Sequence, residues 1–403
     1  MNDDMINDRN KDMGRKNGND MGRSMGRRDS VRVEKLSLVN FRNFEKEAVR
    51  FFPGVNIICG NNAQGKTSLL EAVFFLGAGK SCRTARERDM IRIGQKEGRV
   101  EACFTSEGRA QTVEASIYKQ QRRLFFINGI KLNTPRELLG RMPCVFFGAS
   151  QLDIVREGAA ARRRFMDIAL CQLKPRYLSH LAEFNRLLAH KKRILEDAAQ
   201  GAAMADVLPD FNRRIAKIAS RVVAYRASFV AKVAAMASVF HREATGGREN
   251  ITLNYLTRPA FEEGTTEEDH EGMLYHALKK MEMSERAALR CLVGPHLDDI
   301  AILIDNAEAR KYGSQGQTRT AALAMVLAER QIFKEEFGSF PILLLDDVLS
   351  ELDAARQAFV LQRTGEGQVI ITCCNTDILS TWKEGRVIHI ENGGVVHVSA
   401  SGT

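Results

Sequence analysis

The sequence predicts an α/β fold, in which a nucleotide-binding lobe built from both ends of the chain is interrupted by a helical insertion. Three observations lead there. An eight-residue loop, GNNAQGKT (Gly60 to Thr67), stands between a short apolar run and a helical apolar pattern. A second apolar run, PILLL, ends on adjacent aspartates, Asp346 and Asp347. Between the two, the apolar period lengthens from two to about 3.5, and alternating strand and helix patterns return only afterwards.

Bulk properties narrow the class. A chain of 403 residues exceeds one ordinary core, so two or more lobes are expected. With 44% apolar and 27% charged residues, the composition is that of a soluble globular protein. No apolar run approaches the ~20 residues of a bilayer span, and the polar N-terminus carries no secretory signal. No membrane partner is expected. Eight scattered cysteines without a CxxC pair suit reduced thiols in the cytoplasm. The formal net charge of +9 favours a polyanionic partner, though charge alone does not separate DNA from RNA.

Residues 1–30, rich in Asn, Asp, Arg, Gly and Met, lack the apolar content of a core and are expected to form a disordered tail. Alternating apolar positions then predict strands at Val33 to Leu38 and Ala48 to Phe52, with NFRNF (Asn40 to Phe44) turning between them. VNIIC (Val55 to Cys59) reads as a buried strand. TSLLEAVFFLG reads as a helix with Leu69, Leu70, Val73 and Phe74 on its apolar face. Strands follow at Val100 to Thr105, Thr112 to Ile117, Arg123 to Ile127 and Cys144 to Phe147, with Asn128-Gly129 as a hairpin turn. Together they predict a mixed sheet wrapped around that helix.

The helical stripe begins with Tyr177, Leu181, Phe184 and Leu188. After a break rich in Ala and Gly it resumes through Phe211, Ile215, Ile218, Val222, Tyr225, Phe229, Val233 and Met236. Two such helices predict an antiparallel coiled-coil hairpin or a small bundle. Lys191, Lys192, Arg193, Arg214, Lys217 and Arg221 beside these stripes form a solvated face by default and a phosphate-backbone track as the alternative. The polar stretch from Gly246 to His270 is expected as a loop. Strand IAILI from Ile300, a helix from Thr318 to Glu335, strand PILLL and a helix from Ala354 come next. Strands at Val369 to Thr372, Val387 to Ile390 and Val395 to Val398 follow. The expected division is a head of residues 31–155 and 288–403 and a helical insertion of residues 156–287.

GNNAQGKT matches G-x-x-x-x-G-K-[ST] at every fixed position and has the strand and helix that the motif requires on either side. Glycines 60 and 65 let the backbone curl so that several N–H groups converge on a phosphate chain, and the helix N-terminus adds partial positive charge. The expected phosphate-binding residues are Gly60, Asn61, Asn62, Ala63, Gln64, Gly65, Lys66, Thr67 and Ser68. Lys66 reaches the β- and γ-phosphates, and the Thr67 hydroxyl holds Mg²⁺. The apolar strand before Asp346 and Asp347 delivers both carboxylates to its carboxyl end, where ligands sit in open α/β sheets. Asp346 is assigned to the Mg²⁺ shell and Asp347, with Lys66, to catalysis, Asp347 polarising the attacking water.

Seven blocks in order resemble the RecF family of bacterial recombination-repair ATPases, which have an ABC-type, SMC-like head. They are LVNFRNF, GNNAQGKT, GKSCRT (Gly79 to Thr84), RRRFMD (Arg162 to Asp167), GPHLDD (Gly294 to Asp299), SQGQ (Ser314 to Gln317) and LLLDD with its trailing SELD (Ser350 to Asp353). The resemblance runs from about Val31 to Val398. It implies an ABC-type P-loop ATPase head with mixed sheets around the P-loop helix and an inserted α-helical, coiled-coil-like lobe. It also implies that Ser314, Gln315, Gly316 and Gln317 form the signature that meets the nucleotide of a second subunit, with SELD as the dimer-facing loop. Gln151 is then the residue joining γ-phosphate and Mg²⁺ to the helical lobe. The implied function is ATP-dependent binding of gapped or junction DNA by a homodimer. Weak, DNA-stimulated hydrolysis releases the DNA, and the protein helps RecO and RecR load RecA in the nucleoid-associated cytoplasm.

The chain departs from the pattern in three places. Asp347 stands where many ABC ATPases have glutamate, which suggests slow turnover. Thr372-Cys373-Cys374-Asn375 stands where many place a histidine, which leaves the γ-phosphate sensor unassigned. Leu297 replaces an arginine usual in GPHLDD-like stretches, and His296 beside it is as readily structural as functional. A transporter-type ABC ATPase is the runner-up, but Lys66 and Ser314 are about 250 residues apart with helices between them, where that class expects roughly a hundred. A cohesin-like structural ATPase needs far longer coiled coils.

Overall fold

The computed structural model describes residues 30–84, 86–199, 207–374, 385–391 and 393–401. The expected N-terminal tail lies outside them except for Ser30.

The chain opens with a hairpin of β1 (Arg32–Phe41) and β2 (Phe44–Arg50). The second strand begins four residues before the expected Ala48. The turn is reduced to Arg42 and Asn43, with Arg42 at φ 53°, and Phe41 pairs with Phe44, both fully buried. β3 (Val55–Cys59) leads through the P-loop into α1 (Lys66–Ala78). β4 (Glu97–Ser106), β5 (Arg109–Tyr118), β6 (Leu124–Ile127) and β7 (Ile130–Lys131) complete an antiparallel sheet of order β2-β1-β4-β5-β6-β7. Asn128 and Gly129, both at positive φ, make the expected tight turn.

β8 (Cys144–Phe147) leaves this sheet and joins a second one. α2 (Ala149–Arg156), α3 (Ala159–Leu173), α4 (Pro175–Ala199) and α5 (Leu208–Ala244) follow. Next come β9 (Ile251–Leu256), α6 (Glu267–Lys280), α7 (Glu282–Ala288), β10 (Asp299–Ile304), β11 (Ala307–Glu308), α8 (Ala309–Tyr312) and α9 (Gln315–Phe337). β12 (Ile342–Asp346), α10 (Ala354–Arg363), β13 (Val369–Cys373), β14 (Gly385–Glu391) and β15 (Gly394–Ser401) close the described chain. The second sheet has the order β15-β14-β3-β13-β12-β8, parallel throughout except for the β14–β15 hairpin.

α1 lies between the two sheets and touches strands of both. Leu69, Leu70, Val73 and Phe74 are buried as expected, but so are Phe75 and Leu76 on the other side. A helix clad by sheet on two sides needs apolar residues all round. The parallel sheet is covered on both faces. Ile342, Leu344 and Ile370 join the α1 core, while Leu343, Leu345, Val369 and Ile371 join a larger core with α9 and α5. Burial on both faces is why PILLL reads as a continuous apolar run rather than an alternation.

α5 is the axis of the helical part. It packs against α4, α6, α9 and β9, so the stripes form a small bundle, not an isolated coiled-coil hairpin. By length and composition α5 could cross a membrane, yet Ile215, Val222, Phe229 and Val233 are buried inside the bundle. The expectation of a loop from Gly246 to His270 is corrected. Ile251 to Leu256 form a strand paired along its length with β10, and Glu267 onward is helical. Ile251 and Leu253 face the core while Thr252 and Asn254 are exposed, an alternation hidden in a polar, acidic neighbourhood.

Two sequence blocks meet in this bundle. Arg226 of α5, 2% exposed, donates from Nη2 to Asp167 at 2.8 Å and from Nη1 to Asp298 at 3.0 Å. It also donates to the Pro295 carbonyl and the Tyr177 hydroxyl. The Tyr177 and Tyr255 hydroxyls donate in turn to Asp167 and Asp298. Arg162 grips Asp299 with two hydrogen bonds of 2.5 and 3.0 Å. RRRFMD and GPHLDD are thus halves of one buried ion network. His296 is part of its frame: Nε2 lies 3.1 Å from the Cys291 carbonyl, and the ring packs on Phe184. Leu297 is exposed.

Candidate nucleotide-binding site

The loop from Gly60 to Thr67 curls as its glycines require. Gly60, Ala63 and Gly65 all have positive φ. A Cβ at Gly60 would sit 2.4 Å from the Ile390 carbonyl, and one at Gly65 would strike Asn43 and Phe44. The NFRNF turn braces this loop from outside. Asn43 donates to the Gln64 carbonyl at 3.0 Å. Arg42 holds the fully buried Glu71 of α1 with two hydrogen bonds of 2.6 and 2.7 Å. Ser81, of the GKSCRT block, also donates to Glu71. Neither Asn43 nor Glu71 was singled out from the sequence, because each acts on the loop through space rather than within its motif.

Lys66 is 7% exposed and folds back over the loop, donating to the carbonyls of Gly60 and Asn61 at 2.5 and 3.1 Å. The Cys374 sulfur lies 3.2 Å from the same ammonium and 2.9 Å from Asn62 Oδ1. Behind it, the sulfurs of Cys59 and Cys373 on paired strands are 3.2 Å apart, and all eight cysteines are free thiols. Asn375, the last residue of the unassigned sensor stretch, lies outside the described residues.

The acidic strand arrives where expected. Thr67 Oγ1 and Thr372 Oγ1 each donate to Asp346 Oδ1 at 2.8 Å. The Asp347 N–H donates to Thr372 Oγ1 at 2.9 Å. Asp347 sits at φ 53°, a left-handed conformation that Asp tolerates better than most residues. Its carboxylate accepts from the Ser350 hydroxyl at 2.9 Å, tying it to the SELD loop. Lys66, Thr67, Asp346, Asp347, Thr372 and Cys374 line one open groove of about 840 Å³, with Arg42, Asn43, Arg83 and the exposed Ile93 along its rim.

The donor set fits Mg²⁺. Thr67 Oγ1 and Asp346 Oδ1 are hard oxygens 2.8 Å apart, close to the ~3.0 Å edge of an octahedron whose metal–oxygen distances are about 2.1 Å. The curled backbone, the helix N-terminus and Lys66 fit a polyphosphate.

Two expected members lie elsewhere. Gln151, on the first turn of α2, lines a neighbouring cavity of about 230 Å³ together with Arg83, Asp153, Arg164 and Glu329. Its Oε1 accepts from the Gly148 N–H at 3.1 Å, and a Cβ on Gly148 would lie 3.0 Å from the Asp346 side chain. Gln151 therefore flanks the acidic strand but is turned toward its own helix end. Ser314 to Gln317 do not line the groove at all. They cap α9: Ser314 Oγ accepts from the Gln317 N–H at 3.2 Å, and Gln317 Oε1 accepts from the Ser314 N–H at 2.9 Å. Ser314 and Gln315 are exposed, and a Cβ at Gly316 would lie 4.0 Å from Arg356, just beyond SELD.

Comparison with known proteins agrees with this geometry. Residues 32–396 match the family model described as the RecF/RecN/SMC N-terminal domain. The chain is 34% identical over 365 residues to the DNA replication and repair protein RecF of Agathobacter rectalis, covering 90% of this chain and 98% of that protein. It is 34% identical over 372 residues to the protein of the same name from Lachnospira eligens, covering 91% and 99%. A solved structure of the recombination mediator protein RecF with ATP in the RecFOR pathway superposes with a TM-score of 0.86 at 30% identity, over 94% of this chain and 100% of that one. The Smc head domain of Pyrococcus furiosus, at 16% identity and a TM-score of 0.53 over 92% of this chain and 96% of that one, shares the fold. The architecture is an α/β ABC-type ATPase head.

Proposed function

The chain belongs to the RecF family, and on that premise we propose that it is an ATP-dependent DNA-binding protein of replication and recombinational repair, closed head to head on DNA by ATP. One observation carries the reading. A single chain gathers Lys66, Thr67 and Asp346 in one groove, while the capped Ser314–Gln317 stretch, with Ser314 and Gln315 exposed, lies outside it. Two copies facing each other bring the groove of one against the signature of the other.

In this reading Lys66 exchanges the Gly60 and Asn61 carbonyls for the β- and γ-phosphate oxygens of ATP, which spares it desolvation without a partner. Thr67 and Asp346 hold Mg²⁺, which neutralises the phosphates. Gln151 completes the metal shell once it releases the Gly148 N–H. Asp347 orients the attacking water. Ser314, with the positive end of α9, meets the γ-phosphate on the partner copy. Hydrolysis removes the group that both copies hold, so the dimer opens and DNA leaves. The weak, DNA-stimulated ATPase is thus a switch. The division into a head of residues 31–155 and 288–403 and an insertion of residues 156–287 is part of the same proposal. Lys192, Arg193, Arg214 and Lys217, exposed on α4 and α5, supply the phosphate-backbone contacts; Lys191 does not, since it is buried against Glu285. By analogy with relatives placed in the RecFOR pathway, RecO and RecR are the protein partners and RecA the protein loaded at gapped or junction DNA.

The test is sedimentation of the full chain, alone, with ATP–Mg²⁺, and with gapped DNA added. The expected result is a monomer that dimerises only with ATP and then binds DNA more tightly. A monomer under all three conditions, with DNA binding indifferent to ATP, overturns the proposal.

A further inference from the structure

The signature is held from behind by a residue in no recognised block. The Gln317 side chain is used at both ends: Oε1 accepts from the Ser314 N–H at 2.9 Å, and Nε2 donates to Glu249 Oε1 at 3.2 Å. The other oxygen of Glu249 lies 3.3 Å from Nε2 of His241, a fully buried ring in the last turn of α5. Next to Glu249, the Asn250 N–H is fixed to Asp305 Oδ1, in the turn between β10 and β11, at 2.9 Å. Glu249 is therefore seated between the end of α5 and the small sheet formed by β9, β10 and β11.

A carboxylate makes a specific choice here. A glutamine amide can present either its oxygen or its NH2 group to a given neighbour. An ionised carboxylate only accepts, so Glu249 takes the NH2 end and leaves Oε1 facing the Ser314 N–H. Turned the other way, Gln317 would set a donor against a donor and uncap the helix start. With the amide held in place, the Ser314 hydroxyl accepts from the Gln317 N–H and keeps its own proton free to donate outward.

We propose that Glu249 is a positioning residue for the signature: it fixes the Gln317 amide in the orientation that caps α9 and so presets Ser314 for the nucleotide carried by the second copy. The proposal rests on the reading that the signature of one copy meets the nucleotide of the other. It makes the helical lobe, through the end of α5, a direct support of the dimer face. The nucleotide groove of the same chain receives nothing from Glu249.

The test uses the full chain and two readouts: ATP binding by the monomer at low protein concentration, and the dimer dissociation constant in ATP–Mg²⁺. Glu249→Ala is expected to leave monomer ATP binding within about twofold and to weaken the dimer about tenfold, the scale of one lost charge-assisted hydrogen bond. Glu249→Gln, which can still accept through its amide oxygen, recovers part of that loss. Gln317→Ala weakens the dimer similarly, and adding Glu249→Ala to it costs little more, because the two act through one contact. Full additivity, an equal loss of monomer ATP binding, or a parental dimer constant in Glu249→Ala overturns the role of Glu249. Should Glu249→Ala fail to fold, the cycle of Glu249→Gln with Gln317→Ala asks the same question. Absence of an ATP-driven dimer in the parent protein instead overturns the head-to-head reading.

Discussion

The P-loop face and the face that carries Ser314 to Gln317 are ordered in opposite ways. At the P-loop, the chain surrounds its own cation. Lys66 is buried and engaged by two carbonyls, Asn43 braces the loop from the first hairpin, and Asp346 is already tied to Thr67. At Ser314 to Gln317, Ser314 and Gln315 are exposed, and order comes from the capping box and Glu249. The first face is complete within one chain and swaps internal contacts for external ones. The second is capped by its own side chains and lies outside the groove. On the proposed head-to-head reading, a nucleotide gains its second set of contacts only when another copy arrives.

That contrast can be broken in order of expected effect. Lys66→Ala removes the groove's cation and is expected to lower ATP affinity by at least about 100-fold, with loss of the dimer. Equilibrium binding of a fluorescent ATP analogue and sedimentation check it. Asp347→Asn keeps the shape but not the charge of the water-orienting group. It should retain ATP binding and dimerisation while hydrolysis falls about 100-fold; phosphate release at the parental rate removes Asp347 from that role.

Ser314→Ala acts only on the other face. Monomer ATP binding is expected to stay within about twofold, while the dimer weakens about tenfold through the lost phosphate contact and helix cap. Mixing Lys66→Ala and Ser314→Ala proteins then sharpens the comparison. In such a pair one groove and one signature, on different chains, remain intact, so Lys66→Ala protein should enter mixed dimers with Ser314→Ala protein although it forms none with itself. Exclusion of Lys66→Ala protein from mixed dimers shows that the two faces do not meet in trans.

The smallest effect on either face is expected from Glu329→Gln in α9. Burial pushes the Glu329 carboxyl up from an ordinary 4.5 to about 8. The folded state therefore holds this proton more tightly than the unfolded chain does. The stability linked to it is full below pH 4.5 and is lost as pH rises through 8. Gln is uncharged throughout, so, referenced to pH 4 where the two should match, the variant should exceed the parent at pH 8 by several kcal/mol in denaturant titrations.

Much of the phosphate site was legible in the sequence because its parts are local. Strand, loop and helix are contiguous around Lys66, and Asp346 ends a short apolar run that reads as a buried strand. What was not legible depends on pairs far apart in the chain. Arg226 belongs to no motif and carried no reading in the sequence, yet it joins Asp167 to Asp298 across the bundle. Glu249 sat in a stretch read as loop, where the polar positions of β9 masked a strand. Gln151 could be placed beside the acidic strand by resemblance, but its turn toward Gly148 depends on the helix start, which no spacing rule reveals.

The order of strands in the parallel sheet bears on how the chain is made. β3, which aims the P-loop, lies between β13 and β14, both from the far end of the sequence. On the ribosome, Cys59 emerges 310 residues before Val369 (369 − 59), a wait of roughly 15 to 60 s at ordinary rates of synthesis. Through that interval the loop has no flanking strands to hold its curl, and Asp346 has not yet been synthesised for most of it. A nascent or prematurely terminated chain therefore lacks both the strands that flank β3 and the aspartate that bonds Thr67.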